Sequence, residues 1–178
     1  MHPVDILIAL VMILILVIVV MAVSAIFLRT PYVPTPFIVA KKMVRIAHLH
    51  GNETIYDLGA GDGRLLIEAL KLYPEITAYG SELSPFVYYW GRLKILLSGT
   101  HAHLRMKNLF TEDLHNADCI FLYLMPGIME KLLKKFDEEL RPGTKIVSYA
   151  FTLRGKTPAQ TQEVPWIQGK KKIYLYEW

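Results

Sequence analysis

The distribution of apolar residues divides the chain into two unequal parts. From Ile6 to Leu28 every residue is apolar except Ser24. As a helix this run is about 35 Å long at ~1.5 Å per residue, enough to span a bilayer with some tilt. It carries no polar face at helical spacing, which disfavours a surface amphipathic helix. The rival is a cleaved signal peptide, with Val23-Ser24-Ala25 as a faint cleavage site. The missing basic n-region and the length of the run oppose it. Residues 1–29 are therefore expected to be a transmembrane anchor.

Pro31, Pro34 and Pro36 follow. They fix φ and remove backbone donors, so 30–36 reads as a stiff, extended linker. It serves as a spacer or folds over a ligand mouth. Beyond it the pattern becomes periodic, and 37–178 reads as one domain. Apolar positions at helical spacing predict a helix from Phe37 to His50. A strand is predicted at Thr54–Leu58, then a helix at Arg64–Tyr73 that Pro74 stops. Ile76–Leu83 is a second strand. Ser84 at the N-cap and Pro85 at the first turn open a helix that runs to about Leu97. Ala102–Met106 is a short strand, Asn108-Leu109-Phe110 a loop, and Asp118–Leu124 an apolar strand placed centrally. A helix at Ile128–Leu140 and a strand at Thr144–Tyr149 come next. The end is predicted as a hairpin, with arms near Gln162–Ile167 and Ile173–Trp178 and a turn at Gln168-Gly169. Strands alternating with helices imply an α/β fold, with a mostly parallel sheet and right-handed crossovers.

Composition changes this picture little. The chain has 178 residues, 53% of them hydrophobic, and the excess sits in the N-terminal run. The single cysteine, Cys119, forms no intrachain disulfide and reads as a buried strand residue. Charge is more informative. All 20 Lys and Arg lie from Arg29 onward, and the net charge is +4. With Arg29, Lys41, Lys42 and Arg45 after the apolar run and none before it, the C-terminal domain is expected on the cytoplasmic side. A basic domain suits anionic lipid. No aromatic-and-basic repeat supports a nucleic-acid partner, and none is expected.

The candidate chemistry centres on Asp57-Leu58-Gly59-Ala60-Gly61-Asp62-Gly63-Arg64, between the first strand and the next helix. A dinucleotide fingerprint needs Gly or Ala where Arg64 stands, and a P-loop needs Gly-Lys-Ser/Thr. Asp57 and Asp62 would repel a pyrophosphate and attract a cation. S-adenosylmethionine (SAM) carries both a sulfonium and an ammonium. The pattern resembles motif I of the class I SAM-dependent methyltransferases. That resemblance implies a Rossmann-like, seven-stranded class I methyltransferase sheet, here preceded by one N-terminal transmembrane helix. The helix before the last hairpin would be missing or very short.

Ligands of such sheets bind beyond the carboxyl ends of the strands. By the resemblance, Gly59, Ala60 and Gly61 approach the methionine part of SAM, and Asp57 assists its ammonium. Glu82, ending the second strand, would accept the ribose hydroxyls. Asn108 stands where relatives usually carry Asp, and its oxygen would accept from the adenine amino group. Leu109, with Phe110, would pack on the adenine ring or in the core. Tyr123, closing the fourth strand, would orient the methyl acceptor or pack in the core.

Val33-Pro34-Thr35-Pro36, Tyr123-Leu124-Met125-Pro126 and the C-terminal Ile-Tyr-Leu-Tyr-Glu-Trp narrow the resemblance. They are similar to the membrane-anchored lysine methyltransferases of the ATP synthase c-subunit and the adenine nucleotide translocase, with their prokaryotic relatives. The resemblance implies a lysine on a protein in or at the membrane as acceptor. Tyr149-Ala150 is a departure, since relatives tend to carry His-Asp there. A membrane-localised lipid or quinone methyltransferase and a non-catalytic interaction protein are the alternatives. No Arg-rich presequence is visible, so a prokaryotic inner membrane is expected over a mitochondrial one. The remaining groups read as structural. The pairs His48/His50 and His101/His103 do not make up a metal site. Lys170-Lys171-Lys172 reads as a solvated turn or a lipid contact.

Overall fold

The structure, a computed structural model, describes residues 3–28, 32–166 and 169–178. It divides into two compact units, Met1–Val33 and Pro34–Trp178. The first is dominated by one helix, α1 (Pro3–Leu28). Its Pro3–Val20 stretch is long and apolar enough to cross a membrane, by length and composition. Arg29, Thr30 and Pro31, which enter the charge and linker arguments, lie outside the described residues, as do Ile167 and Gln168 of the expected hairpin.

The second unit contains α2 (Phe37–Ile46), β1 (Thr54–Leu58), α3 (Arg64–Leu72), β2 (Thr77–Glu82), α4 (Pro85–Ser98) and β3 (His103–Met106). After them come β4 (Cys119–Leu122), α5 (Pro126–Glu139), β5 (Lys145–Tyr149), β6 (Gln160–Trp166) and β7 (Gly169–Glu177). The strands form one seven-stranded sheet in the order β3-β2-β1-β4-β5-β7-β6. β1 to β5 are parallel, and β7 runs antiparallel to both β5 and β6. β1 and β4 are buried along nearly their whole length because helices cover both faces, which explains why β4 reads as an unbroken apolar run. α2, α3 and α4 cover one face, over a core that includes Met43, Leu66, Ile95, Phe121 and Val147. α5 covers the other, packing Met129, Leu132 and Phe136 against Leu58, Ile120 and Ile146.

Several expected boundaries move. α2 stops at Ile46, not His50, because His48 adopts a left-handed φ of 47° that ends the chain's helical run. Asn108-Leu109-Phe110 is not a plain loop. Leu109–Thr111 is a 3₁₀ turn capped by Asn108. Ser84 does sit at the N-cap of α4 with Pro85 in the first turn, but its side chain makes no capping bond. The first arm of the hairpin begins at Gln160, earlier than expected, and residues 151–159 hold no helix.

Order reverses between β1 and β4, whose chains lead away to opposite sides. This places the β1–α3 turn, the end of β2 and the end of β4 along one edge of the sheet, the location where open α/β sheets bind ligands.

Candidate active site

The glycine turn is built from backbone contacts. Gly59 N–H and Ala60 N–H donate to Ser81 O at 3.0 and 2.9 Å, tying the turn to β2. Gly59 has φ +81°, and a Cβ there would lie 2.9 Å from Leu124 Cδ2, so the residue after β4 packs directly on the turn. α4 presses from the other side. A Cβ at Gly91 would lie 3.1 Å from Gly61 O. Glu82 completes the frame, accepting from Gly61 N–H (3.0 Å) and Ser84 N–H (2.7 Å). An ionised carboxylate has about four acceptor sites, so these bonds leave it capacity to accept more.

The sequence presents Asp57 and Asp62 as one electronegative pair, and the structure separates them. Asp62 is buried and paired. Arg64 grips it with Nε and Nη2 at 2.8 and 2.6 Å, and Lys94 Nζ also binds it. These bonds and charges outweigh burial and hold its pKa down at about 2. Its charge is therefore answered inside the protein and does not contribute an open cation site. Asp57 is 7% exposed, and no donor among the described residues reaches its carboxylate. Burial, with the Glu82 and Asp62 charges nearby, pushes its pKa up to about 8. Glu82 is raised as well, chiefly by burial, against the lowering effect of its backbone donors.

A buried and a half-buried carboxyl with raised pKa values, beside a glycine-rich turn, fit a cationic ligand that approaches the backbone closely. SAM has that chemistry. Asp57 would hold its ammonium, Gly59 to Gly61 would admit the methionine chain, and Glu82 would offer lone pairs to the ribose.

The remaining expected residues are less closely gathered. Asn108 is exposed, and its Oδ1 accepts from Phe110 N–H at 3.1 Å, closing the turn. The oxygen expected to read adenine is thus already a cap, with one lone pair left. Leu109 is half-buried against the α5-side core, while Phe110 is exposed. Tyr123 is half-buried after β4, its ring 4.7 Å from that of Tyr149.

Five residues beyond the expected set shape this edge. Arg64, notable in the sequence only as the wrong residue for a dinucleotide fold, also donates Nη1 to Thr35 O at 2.7 Å and lies 4.7 Å from the Phe37 ring. It fastens the end of the proline linker beside the glycine turn. Lys94 joins it from α4. Tyr149, Trp166 and Lys171 gather around Tyr123. Asp113, His115 and Glu139 bring ligand atoms within 4.8 Å of one another, but each already has a partner in Leu114, Lys135 or one another.

Fold and site define a SAM-dependent methyltransferase. An RNA methyltransferase from Salinibacter ruber, solved with S-adenosylhomocysteine, superposes with a TM-score of 0.74 at 30% identity, covering 82% of this chain and 93% of that one. Residues 57–160 match the ANTKMT methyltransferase domain, and the chain belongs to that family. A protein-lysine N-methyltransferase of Saccharolobus islandicus is 34% identical over 82% of this chain and 92% of its own. The mouse lysine N-methyltransferase of the ATP synthase c-subunit is 28% identical over 74% of this chain, which spans 53% of that longer protein. The enzyme class, the cofactor and the family all agree with the sequence reading.

Proposed function

We propose that this chain methylates the ε-amine of a lysine on a protein in or at a membrane. The observation that carries the acceptor class is the similarity to the Saccharolobus islandicus protein-lysine enzyme, which extends over most of both chains. The membrane part rests on the apolar length of α1 and the basic residues that follow it. It is also supported by the outer face of α4, which exposes Tyr89, Trp90, Leu93, Leu96 and Leu97. Aromatic and aliphatic residues in such a stripe suit a lipid interface. On this reading 1–29 is the anchor, 30–36 the linker and 37–178 the catalytic domain, on the cytoplasmic side of a prokaryotic inner membrane.

SAM, when bound, supplies an electrophilic methyl group on a sulfonium. The chain supplies position and a dry environment. Asp57, ionised by a cation's arrival, holds the ligand's ammonium. Gly59, Ala60 and Gly61 let the backbone close on it, and Glu82 and Asn108 offer acceptors further along. Leu109 provides an apolar wall. An acceptor lysine enters as an ammonium with a pKa of about 10.4, and its lone pair is free only after a proton leaves. Burial beside Tyr123 favours the neutral amine. Alignment of reacting atoms is worth about 7–11 kcal/mol in favourable cases, so no covalent intermediate on the protein is required.

The test is incubation of the full-length chain, purified in detergent, with native membranes and labelled SAM. Label is expected in protein, as methyllysine, and is expected to be lost with Asp57→Ala. Label confined to the lipid extract would overturn the reading in favour of a lipid or quinone acceptor. Label in RNA would point to the substrate named for the Salinibacter enzyme.

A further inference from the structure

The run Lys170-Lys171-Lys172 opens β7, and the three residues meet different surroundings. Lys170 is exposed and pairs with Glu163 at 2.7 Å. Lys172 is exposed too. Lys171 is half-buried, and none of the ion pairs among the described residues involves it. Its Nζ lies 3.6 Å from the Trp166 ring centroid, 5.6 Å from that of Tyr149 and 5.8 Å from that of Tyr123. Three aromatic faces from three parts of the chain thus surround one ammonium.

Register explains how they meet. Ile173 pairs with Tyr149 across β5 and β7, so Lys171 lies past the carboxyl end of β5. Lys171 pairs with Val164, and Trp166 stands opposite Gly169, which makes Trp166 a diagonal neighbour of Lys171. Tyr123 follows β4, one residue before the Leu124 that packs on Gly59. The cluster therefore stands on the same edge of the sheet as the glycine turn, on the β4 side. Tyr149 adds a second observation. Its side chain is fully buried, and its hydroxyl has no hydrogen-bond partner among the described residues. A buried hydroxyl left unpaired is costly, and an incoming N–H donor or amine lone pair would satisfy it. Ala150, next to it, holds a left-handed φ of +69° and donates its N–H to Lys172 O at 2.8 Å, which fixes β5 to the Lys171 strand.

We propose that Tyr123, Tyr149 and Trp166 form the subsite for the acceptor's amine, and that Lys171 fills it in cis until a substrate lysine displaces it. The proposal rests on the lysine reading above and deepens it. Aromatic faces attract an ammonium through the ring quadrupole and exclude the water that would solvate it. The Tyr149 hydroxyl accepts from the ammonium or donates to the neutral amine. The Tyr149-Ala150 departure from relatives then reads as a different way of holding the same group, with π faces in place of a polar pair. Lys171 has the shape and charge of the substrate side chain, so it competes for the box.

The test uses n-butylammonium, which reproduces the end of a lysine side chain, titrated into the full-length protein and followed by the Ala150 amide resonance. Lys171→Ala is expected to bind the probe about fivefold or more tightly than the natural chain, the scale of a cation–π contact. Adding Trp166→Leu, or Tyr123→Leu in its place, is expected to remove that gain. SAM affinity by calorimetry should be unchanged in all of them, which shows that the variants are folded. Equal probe affinity with and without Lys171 would overturn the proposal. So would a gain that survives loss of both Trp166 and Tyr123. Failure of the lysine reading itself would appear separately, as amine binding without methyllysine in the membrane assay.

Discussion

Asp57 and Asp62 flank the same glycine turn and are both buried, yet one is left without a partner while the other is doubly paired. Asp62 sits on the α3 and α4 side, where Arg64 and Lys94 reach it. Asp57 lies near the carboxyl end of β1, where burial, with the Glu82 and Asp62 charges nearby, raises its pKa to about 8. Asp62 stays near 2. The difference separates two jobs that the sequence merges. One carboxylate holds the turn, the linker end and two helices together. The other is buried among carboxylates with its pKa raised to about 8, and on the reading proposed above it is the group that takes the cofactor's ammonium. A buried carboxyl with a strongly raised pKa is a common mark of a functional site.

The comparison can be broken at either side. The largest effect is expected from Asp57→Ala, which should weaken SAM binding by about 100-fold or more, the scale of losing a charged hydrogen bond in a buried site. Calorimetry measures it. Asp57→Asn should lose binding as well but unfold at higher urea at neutral pH, because Asp57 must take up a proton on folding and Asn need not. Asp62→Asn should do the reverse, costing about 2–4 kcal/mol in urea unfolding, since it leaves Arg64 and Lys94 partly buried and less well paired. A stabilised Asp62→Asn would contradict the assignment of roles.

The pH dependence has opposite signs for the two groups. Asp57 is raised on folding, so the stability tied to it is full below its unfolded value of 3.8 and is lost as pH climbs toward about 8. Asp62 is lowered, so its contribution is present above 3.8 and is lost as pH falls toward 2. Ligand binding follows from the first. Below pH 8 a cation must displace a proton from Asp57, so SAM affinity should rise with pH, by at most about tenfold per unit, between pH 6 and 8. Asp57→Asn should flatten that contribution. The smallest effect concerns the acceptor side. Ala150 holds a left-handed φ, and Ala150→Gly should raise stability by about 0.5–1 kcal/mol, read from the shift in urea midpoint.

The parts of the fold that are legible in the sequence are those that local chemistry decides. β1 falls where apolar residues and the glycine turn place it, and the alternation of strands and helices leads to the parallel sheet. The identity of the glycine turn is equally local. Pairing across space is not. Lys94 lies on α4, and nothing in its spacing marks it as a partner of Asp62. Asn108 has the chemistry of a ligand group, but a side-chain oxygen beside a tight turn finds the nearest backbone N–H first, here that of Phe110. The Lys171 box is least legible of all. It exists because an antiparallel hairpin folds back along β5, and register rather than sequence distance brings Trp166, Tyr149 and Tyr123 to one ammonium. A run of three lysines shows none of this.

The central claim, that Asp57 is the carboxylate held open for the cofactor's cation, is tested most directly by carbon NMR titration of the Asp57 carboxyl, with and without SAM. In the free protein it is expected to titrate near 8, and with SAM bound to stay ionised well below that. A midpoint near 4 in both states would contradict the account.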